Sequence, residues 1–343
     1  MNYEEKQQIQ WWLDRDPLSN NEKELLFHTR PETIEEDSIK YKQILDKYFN
    51  LMLNCNISSD THEIKCDKKA TFFINKLFNK YADDDTLIVC SEDEHTSVRD
   101  NLKNCKNVLT LNYIDDICNL KISNVIQKAK LYKKVFVYMI GTHISTGRIV
   151  PQTFFIRLKE ALIKNNIQHI MVLDDVHGMF LVPRDYSIFD YIIFTAHALI
   201  KDFDEGMLVC KKEDTIEGNK GYNWLEEYYK SLQVILKRQE KLRLFNTIMT
   251  EYFSKYLIYD NFKLYNNRVA SHIFSIAIKN KNFDEELYKV LKNEYYIRLE
   301  GYNDEKAPYT FIRFRAAQFI KAPEKMIEGI ELLESVLSAF GYK

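Results

Sequence analysis

The sequence predicts an α/β fold: a mainly parallel sheet covered by helices on both faces, followed by a small C-terminal α+β domain. Three observations carry this. Short apolar runs rich in Val and Ile recur between Thr86 and Cys210. Helical patterns separate them, which is the spacing of strands joined by crossover helices. The last 85 or so residues again alternate strand-like and helix-like segments, on a smaller scale.

Taken in order, residues 1–55 read as a helical segment, with Trp11, Trp12 and Leu13 near its start and an amphipathic run from Ile39 to Leu53. Strands are expected at Thr86–Cys90, Val108–Leu111, Lys134–Met139, His169–Leu173, Tyr191–Thr195 and Met207–Cys210, with a helix at Thr153–Lys164. A long helix from Trp224 to Tyr256 reads as a connector. Beyond it, strands within Ile273–Ile278 and Phe311–Arg315 alternate with helices at Asp284–Glu294 and Pro323–Ser338. Three parts follow: a helical segment at 1–55, a large domain at 56–256 that includes the connector, and a small domain at 257–343.

Composition narrows the function. A chain of 343 residues with 45% hydrophobic and 29% charged residues can bury a large core. A formal charge of -2 gives no pull toward nucleic acid or an anionic membrane. No apolar run reaches bilayer length, and the start Met1-Asn2-Tyr3-Glu4-Glu5 is unlike a signal peptide, so a cytoplasmic location is expected. The six cysteines make no C-x-x-C pair and the eight histidines no H-E-x-x-H, so reduced thiols, several of them buried in strands, and no structural metal are expected. The first of nine glycines is Gly141, which excludes a P-loop or a G-x-G-x-x-G loop upstream of it.

Ligands of such sheets bind beyond the carboxyl ends of the strands, where His95, Thr142, Asp174 and His197 fall. A carboxylate at the end of a buried strand, such as Asp174, costs free energy unless it is paired or solvated. Its neighbour Asp175 points to the opposite face of a regular strand, so at most one of the two faces a ligand. His95, after the first of these strands, could stack on a planar ligand or cap the next helix. His177 could bond a ligand oxygen or pack in the turn before Gly178. Thr195 and His197 offer a hydroxyl and an imidazole to a phosphate. Lys201 could attack an aldehyde if its amine is desolvated or lies near another cation, although a loop lysine is ordinarily just solvated. An Asp ending one strand and a Lys after the next suit pyridoxal 5'-phosphate (PLP), whose pyridine nitrogen wants a carboxylate and whose aldehyde wants an amine.

In order and spacing, residues 60–340 resemble the fold-type-I PLP-dependent transferases, above all the class V aminotransferases and cysteine desulfurases. The segment 63–75 is similar to their phosphate loop, with Thr71 at the phosphate-binding Thr and Lys68-Lys69 where Ser-Gly would stand. Glu94-His95-Thr96-Ser97-Val98 resembles E-H-x-S-V, which implies that His95 stacks on the ring. The segment 140–151, with Thr142, falls where the family contacts cofactor or substrate. The segment 173–178 resembles D-x-A-H, implying Asp174 on the pyridine nitrogen, Val176 under the ring and His177 on the phenolic oxygen. Phe194-Thr195-Ala196-His197 matches the F-S-x-H before the Schiff-base lysine, and Arg313 the family's strand Arg.

The departures are as concrete. Ala198 occupies the usual lysine position, and Lys201 stands three residues later, where Gly is usual. A lysine side chain reaches about 6 Å and three extended residues span about 10 Å, so Lys201 serves only if its loop turns back. Gln318 stands where desulfurases carry a carboxylate-binding Arg, and no Cys follows Cys210, which argues against a cysteine desulfurase. The segment from Ile140 to Pro183 also resembles histidine-decarboxylase-type group II decarboxylases. Two readings stand. In one, an enzyme uses PLP at Cα of an amino acid, by transamination or decarboxylation, with Lys201 as Schiff-base lysine, Lys69 at the phosphate and Arg313, Arg315 and Thr142 on the substrate. In the other, the chain lacks the usual lysine and uses His197 as base or serves as a partner subunit. The resemblance implies a homodimer.

Overall fold

The computed structural model describes residues 38–52, 57–91, 94–111, 122–143, 147–180, 182–195 and 205–237, the strands at 262–264, 273–279, 299–300 and 309–315, and helical positions 331, 335 and 338–339. Helix α1 (Ser38–Leu51) turns Tyr41, Ile44, Leu45, Tyr48 and Phe49 inward, the three-and-four spacing of one helical face. Strand β1 (His62–Asp67) leads into α2 (Ala70–Tyr81), which buries Phe73, Ile74, Leu77 and Phe78. Then follow β2 (Thr86–Ser91), α3 (Thr96–Leu102), β3 (Val108–Leu111), α4 (Ile122–Ala129), β4 (Lys134–Ile140), α5 (Gln152–Lys164), β5 (Gln168–Asp174), β6 (Tyr191–Thr195), β7 (Gly206–Lys211) and α6 (Tyr222–Lys237).

Seven strands form one sheet in the order β1-β7-β6-β5-β4-β2-β3. Only β7 runs against the others; its neighbours β1 and β6 both pair with it antiparallel. Consecutive residues of β2, β4 and β6 are buried, which requires cover on both faces and explains their continuous rather than alternating hydrophobicity. Phe78 of α2 packs edge-on against Phe136 of β4 and tilted on Tyr138, joining helix to sheet.

The expected strands are all present, with the ends moved by a residue or so. In the region 62–81 no strand or helix was expected, and the segment 63–75 likened to a phosphate loop folds as β1, the link Lys68-Lys69 and the start of α2. The disguise is Lys65, a charge in the middle of a strand. Its ammonium is buried by donating to the carbonyls of Asp214 (3.0 Å) and Ile216 (2.6 Å) and pairing with Glu63 (3.2 Å). That arrangement depends on residues 150 positions away and leaves no local signal.

A second, antiparallel sheet has the order β10-β11-β9-β8, from β8 (Phe262–Leu264), β9 (Ile273–Lys279), β10 (Leu299–Glu300) and β11 (Tyr309–Arg315). The chain divides into two compact units, one of Asn21–Ile144 with Ile149–Val234, the other of Met1–Asn20, Ser145–Arg148 and Ile235–Lys343. The expected helix at Asp284–Glu294, the Trp11-Trp12-Leu13 segment and the end of the connector beyond 237 lie outside the described residues; within Pro323–Ser338 the described positions are helical. Cys66, Cys90, Cys105 and Cys210 are free thiols, and Cys66, Cys90 and Cys210 are buried in β1, β2 and β7. Among the described residues no helix is long and apolar enough to cross a membrane, and no three His, Cys, Asp or Glu converge as metal ligands.

Candidate active site

Because β1–β6 point the same way, Asp67, Ser91, Ile140, Asp174 and Thr195 end at one edge of the sheet, and β7 starts there at Gly206. The strand order reverses between β2 and β4, since β3 lies on one side of β2 and β4–β6 on the other. At such a switch point the connections leave in opposite directions and open a crevice.

Asp174 stands at this edge between Ile140 and Ile193 and is 2% exposed. Tyr138, two residues before the end of β4, donates its hydroxyl to Asp174 Oδ2 at 2.8 Å, and the Val176 amide donates to Oδ1 at 3.3 Å. No Lys or Arg among the described residues pairs with it. Burial pushes its carboxyl up, while the Tyr138 hydroxyl, the Val176 amide and His95 pull it back toward the ionised form. A buried carboxylate held by hydroxyl and amide, with no Lys or Arg partner among the described residues, is chemically suited to a cationic ligand.

Asp175 is different. Arg184 Nε lies 3.2 Å from its Oδ1, and Tyr186 donates to Oδ2 at 2.9 Å. The same guanidinium donates to the carbonyls of Val150 (3.0 Å) and Gly141. Glycines line this cradle: a Cβ on Gly141 would stand 2.6 Å, and on Gly178 2.3 Å, from Asp175 Oδ1. The two aspartates therefore have separate surroundings, Asp175 the Arg184 and Tyr186 cradle and Asp174 the Tyr138 hydroxyl.

Glu94 joins Asp174. It is 1% exposed, and its Oε1 accepts from the amides of Ser91 (3.1 Å) and Ile140 (3.2 Å), spanning the β2–β4 switch point. Burial first, and the charge of Asp174 second, push its carboxyl up to about 8. His95 caps α3: its Nδ1 accepts from the Ser97 amide at 3.2 Å and lies 2.7 Å from Ser97 Oγ. The ring is exposed, and it acts electrostatically on Asp174, so capping and a place beside the site are compatible.

The other corner lies two strands away. Gly206 pairs with Asp67 on one side and with buried Thr195 on the other. A Cβ there would come within 2.1 Å of Ala70 N, so the first turn of α2 rests directly on β7 and only glycine fits. Lys69 is the N-cap of α2 but makes no side-chain cap bond, and Thr71 is the second helical residue. A helix start with an uncapped first turn, a hydroxyl and two exposed lysines, Lys68 and Lys69, is suited to an anion.

Of the remaining candidates, Val176 and His177 lie in the turn after Asp174, His177 buried and Val176 half-buried. Thr142 is buried just after β4 and bridges to Ile149. Arg313 and Arg315 are two apart on β11, on one face of the small sheet, opposite Ser275 and Ile273 of β9. His197, Ala198 and Lys201 lie outside the described residues. Sequence reasoning missed Glu94, Tyr138, Arg184 and Gly206. One signal existed: a tyrosine inside the apolar run Val135–Ile140 has a hydroxyl that needs a partner once buried.

The fold is the architecture of solved fold-type-I PLP-dependent enzymes. The chain is similar in structure to a NifS-like protein from Rickettsia africae ESF-5 at 15% identity and TM-score 0.66, covering 98% of this chain and 96% of that one. Cystalysin from Treponema denticola, which contains a PLP cofactor, matches at 13% identity and TM-score 0.67, over 93% and 86% of the two chains. Sphingomonas wittichii serine palmitoyltransferase matches at 11% identity and TM-score 0.64, over 97% and 86%. No protein-family model matches the chain, and no curated protein sequence does.

Proposed function

We propose that this chain is a PLP-dependent enzyme acting at Cα of an amino-acid substrate, as an aminotransferase-like enzyme or a decarboxylase. The observation that carries this is Asp174, a buried carboxylate at the carboxyl edge of the sheet, fixed by Tyr138 and unpaired with any described Lys or Arg. The fold it shares with PLP-bound cystalysin supports the reading.

The residues present fit the cofactor at both corners. Lys69, Thr71 and the first turn of α2 would hold its phosphate, with Gly206 allowing the close approach and Thr195 beside it. Asp174 would keep the pyridine nitrogen protonated, His95 and Val176 would flank the ring, and His177 would meet the phenolic oxygen. When bound, the cofactor supplies an electron sink for the pair left at Cα. Lys201 would hold its aldehyde end and serve as the base at Cα, and Arg313, Arg315 and Thr142 would bind the substrate. Residues 56–256 form the cofactor domain and 257–343 the small domain in this reading, within a cytoplasmic homodimer.

Ala198, directly after His197, favours a second reading: a chain without the covalent lysine, in which His197 is the base or the protein serves as a partner subunit. Borohydride reduction of the PLP-treated protein, followed by mass mapping, separates the two. The expected label is on Lys201, and Lys201→Ala should remove it together with the yellow colour of covalently held cofactor. Noncovalent uptake alone would favour the second reading with His197 as base, and no uptake would overturn the enzyme reading and leave only the partner-subunit form of the second.

A further inference from the structure

The buried carboxyl of Glu94 has no role in the site described so far, yet its placement is specific. Its Oε1 is anchored by the last amide of β2 and the last amide of β4, and Ile140, which gives the second bond, is the residue paired with Asp174 across β4 and β5. Its Oε2 is buried with no hydrogen-bond partner among the described residues. The groups that face it are the Asp174 carboxylate at the end of β5, the Tyr138 hydroxyl of β4, and the Cys90 thiol and Ser91 hydroxyl of β2, of which the Ser91 hydroxyl favours the ionised form. His95, at the start of α3, acts on the same Asp174. Tyr138 gives its single proton to Asp174 and so has none for Glu94. No Lys or Arg reaches either carboxyl among the described residues.

Two neighbouring buried carboxyls, with the Tyr138 proton given to Asp174 and no Lys or Arg beside them among the described residues, cannot both ionise cheaply. We propose that Glu94 is a positioning residue for Asp174. Glu94 holds the pair's one proton while Asp174 faces no cation, so Asp174 alone is ionised toward the crevice. Glu94 gives that proton up when a cationic ring nitrogen docks on Asp174. The site thus meets an incoming cation with one negative charge and can bring up a second. Burial and the Asp174 charge both push Glu94 in the direction this requires.

The proposal rests on the PLP reading for its ligand but not for its first half, and the tests are chosen accordingly. In cofactor-free protein, urea unfolding from pH 5 to pH 9 compares wild type with Glu94→Gln, which keeps the acceptor for both amides and mimics the neutral acid. A group protonated in the folded state and ionised in the unfolded one loses stability as pH rises from its ordinary 4.5 toward its folded value of about 8. Wild type should therefore fall relative to Glu94→Gln as pH rises, and in Asp174→Asn the fall should move to lower pH. Parallel profiles for wild type and Glu94→Gln would overturn the proposal whatever the cofactor.

PLP affinity then tests the second half. The ratio of the two proteins' affinities cancels the titration of the ligand itself. It should stay near unity at low pH and rise to about tenfold in favour of wild type at high pH, the effect of one nearby opposite charge. A flat ratio would overturn proton release. No PLP binding by either protein, with divergent stability profiles, would instead overturn the PLP reading and leave the carboxyl pair standing.

Discussion

Asp174 and Asp175 are adjacent in sequence, equally buried, and set in opposite environments. Asp175 has an arginine, a tyrosine and two glycines shaped around it. Asp174 has a tyrosine, an amide and a second carboxyl. Burial pushes both carboxyls up, but only at Asp175 does a guanidinium pull back. The difference teaches that burial alone does not mark a functional carboxylate. What separates the two is that Asp174 pairs with no Lys or Arg among the described residues; a charge neutralised within the fold serves the fold, and one without such a partner is a candidate for binding.

The largest effect should come from breaking the Asp175 side. Arg184→Met leaves a buried carboxylate without its cation and should cost about 3–5 kcal/mol in urea unfolding. Asp174→Asn should leave the stability of cofactor-free protein nearly unchanged at neutral pH, or raise it, while sharply lowering PLP affinity. If Asp174→Asn destabilises as much as Arg184→Met, the two aspartates are both structural and the contrast fails.

Next in size is Gly206→Ala, whose methyl meets the backbone of Ala70 and Lys69. Overpacking of this kind should cost about 1–3 kcal/mol, and because it pushes away the start of α2 it should also weaken PLP binding. The tyrosines sharpen the comparison further. Tyr138→Phe and Tyr186→Phe each remove one hydrogen bond to a buried carboxyl and should cost about 1–3 kcal/mol in unfolding. Only Tyr138→Phe should also lower PLP affinity, as read by equilibrium titration. Smallest is Lys69→Ala, an exposed charge, expected to weaken PLP binding about two- to fivefold at low salt and less at high salt.

Much of the large sheet was legible because its central strands are buried on both faces and so read as unbroken apolar runs; Tyr191–Thr195 was placed to the residue, as was the less buried edge strand Val108–Leu111. β1 was not, since Lys65 looks like a loop residue until the carbonyls of Asp214 and Ile216 are brought to it. Of the candidate site residues, Asp174 and His95 were singled out from position after strands, and Thr71 only from the resemblance. Glu94 and Tyr138 were not, because their meaning is a mutual one: each is an ordinary residue of its own segment.

The sequence by itself determined the sheet, the residues at its strand ends, and that Ala198 follows His197 with Lys201 three positions further on. Each of these is a local pattern or a count along the chain. Only the tertiary structure decided which of two adjacent aspartates has a guanidinium beside it among the described residues, and that Glu94 is anchored on Ile140 next to the other. Those depend on Arg184, Tyr138 and Ile140, residues brought together by strand order and register, and electrostatics in a dry interior is set by distance in space rather than along the chain.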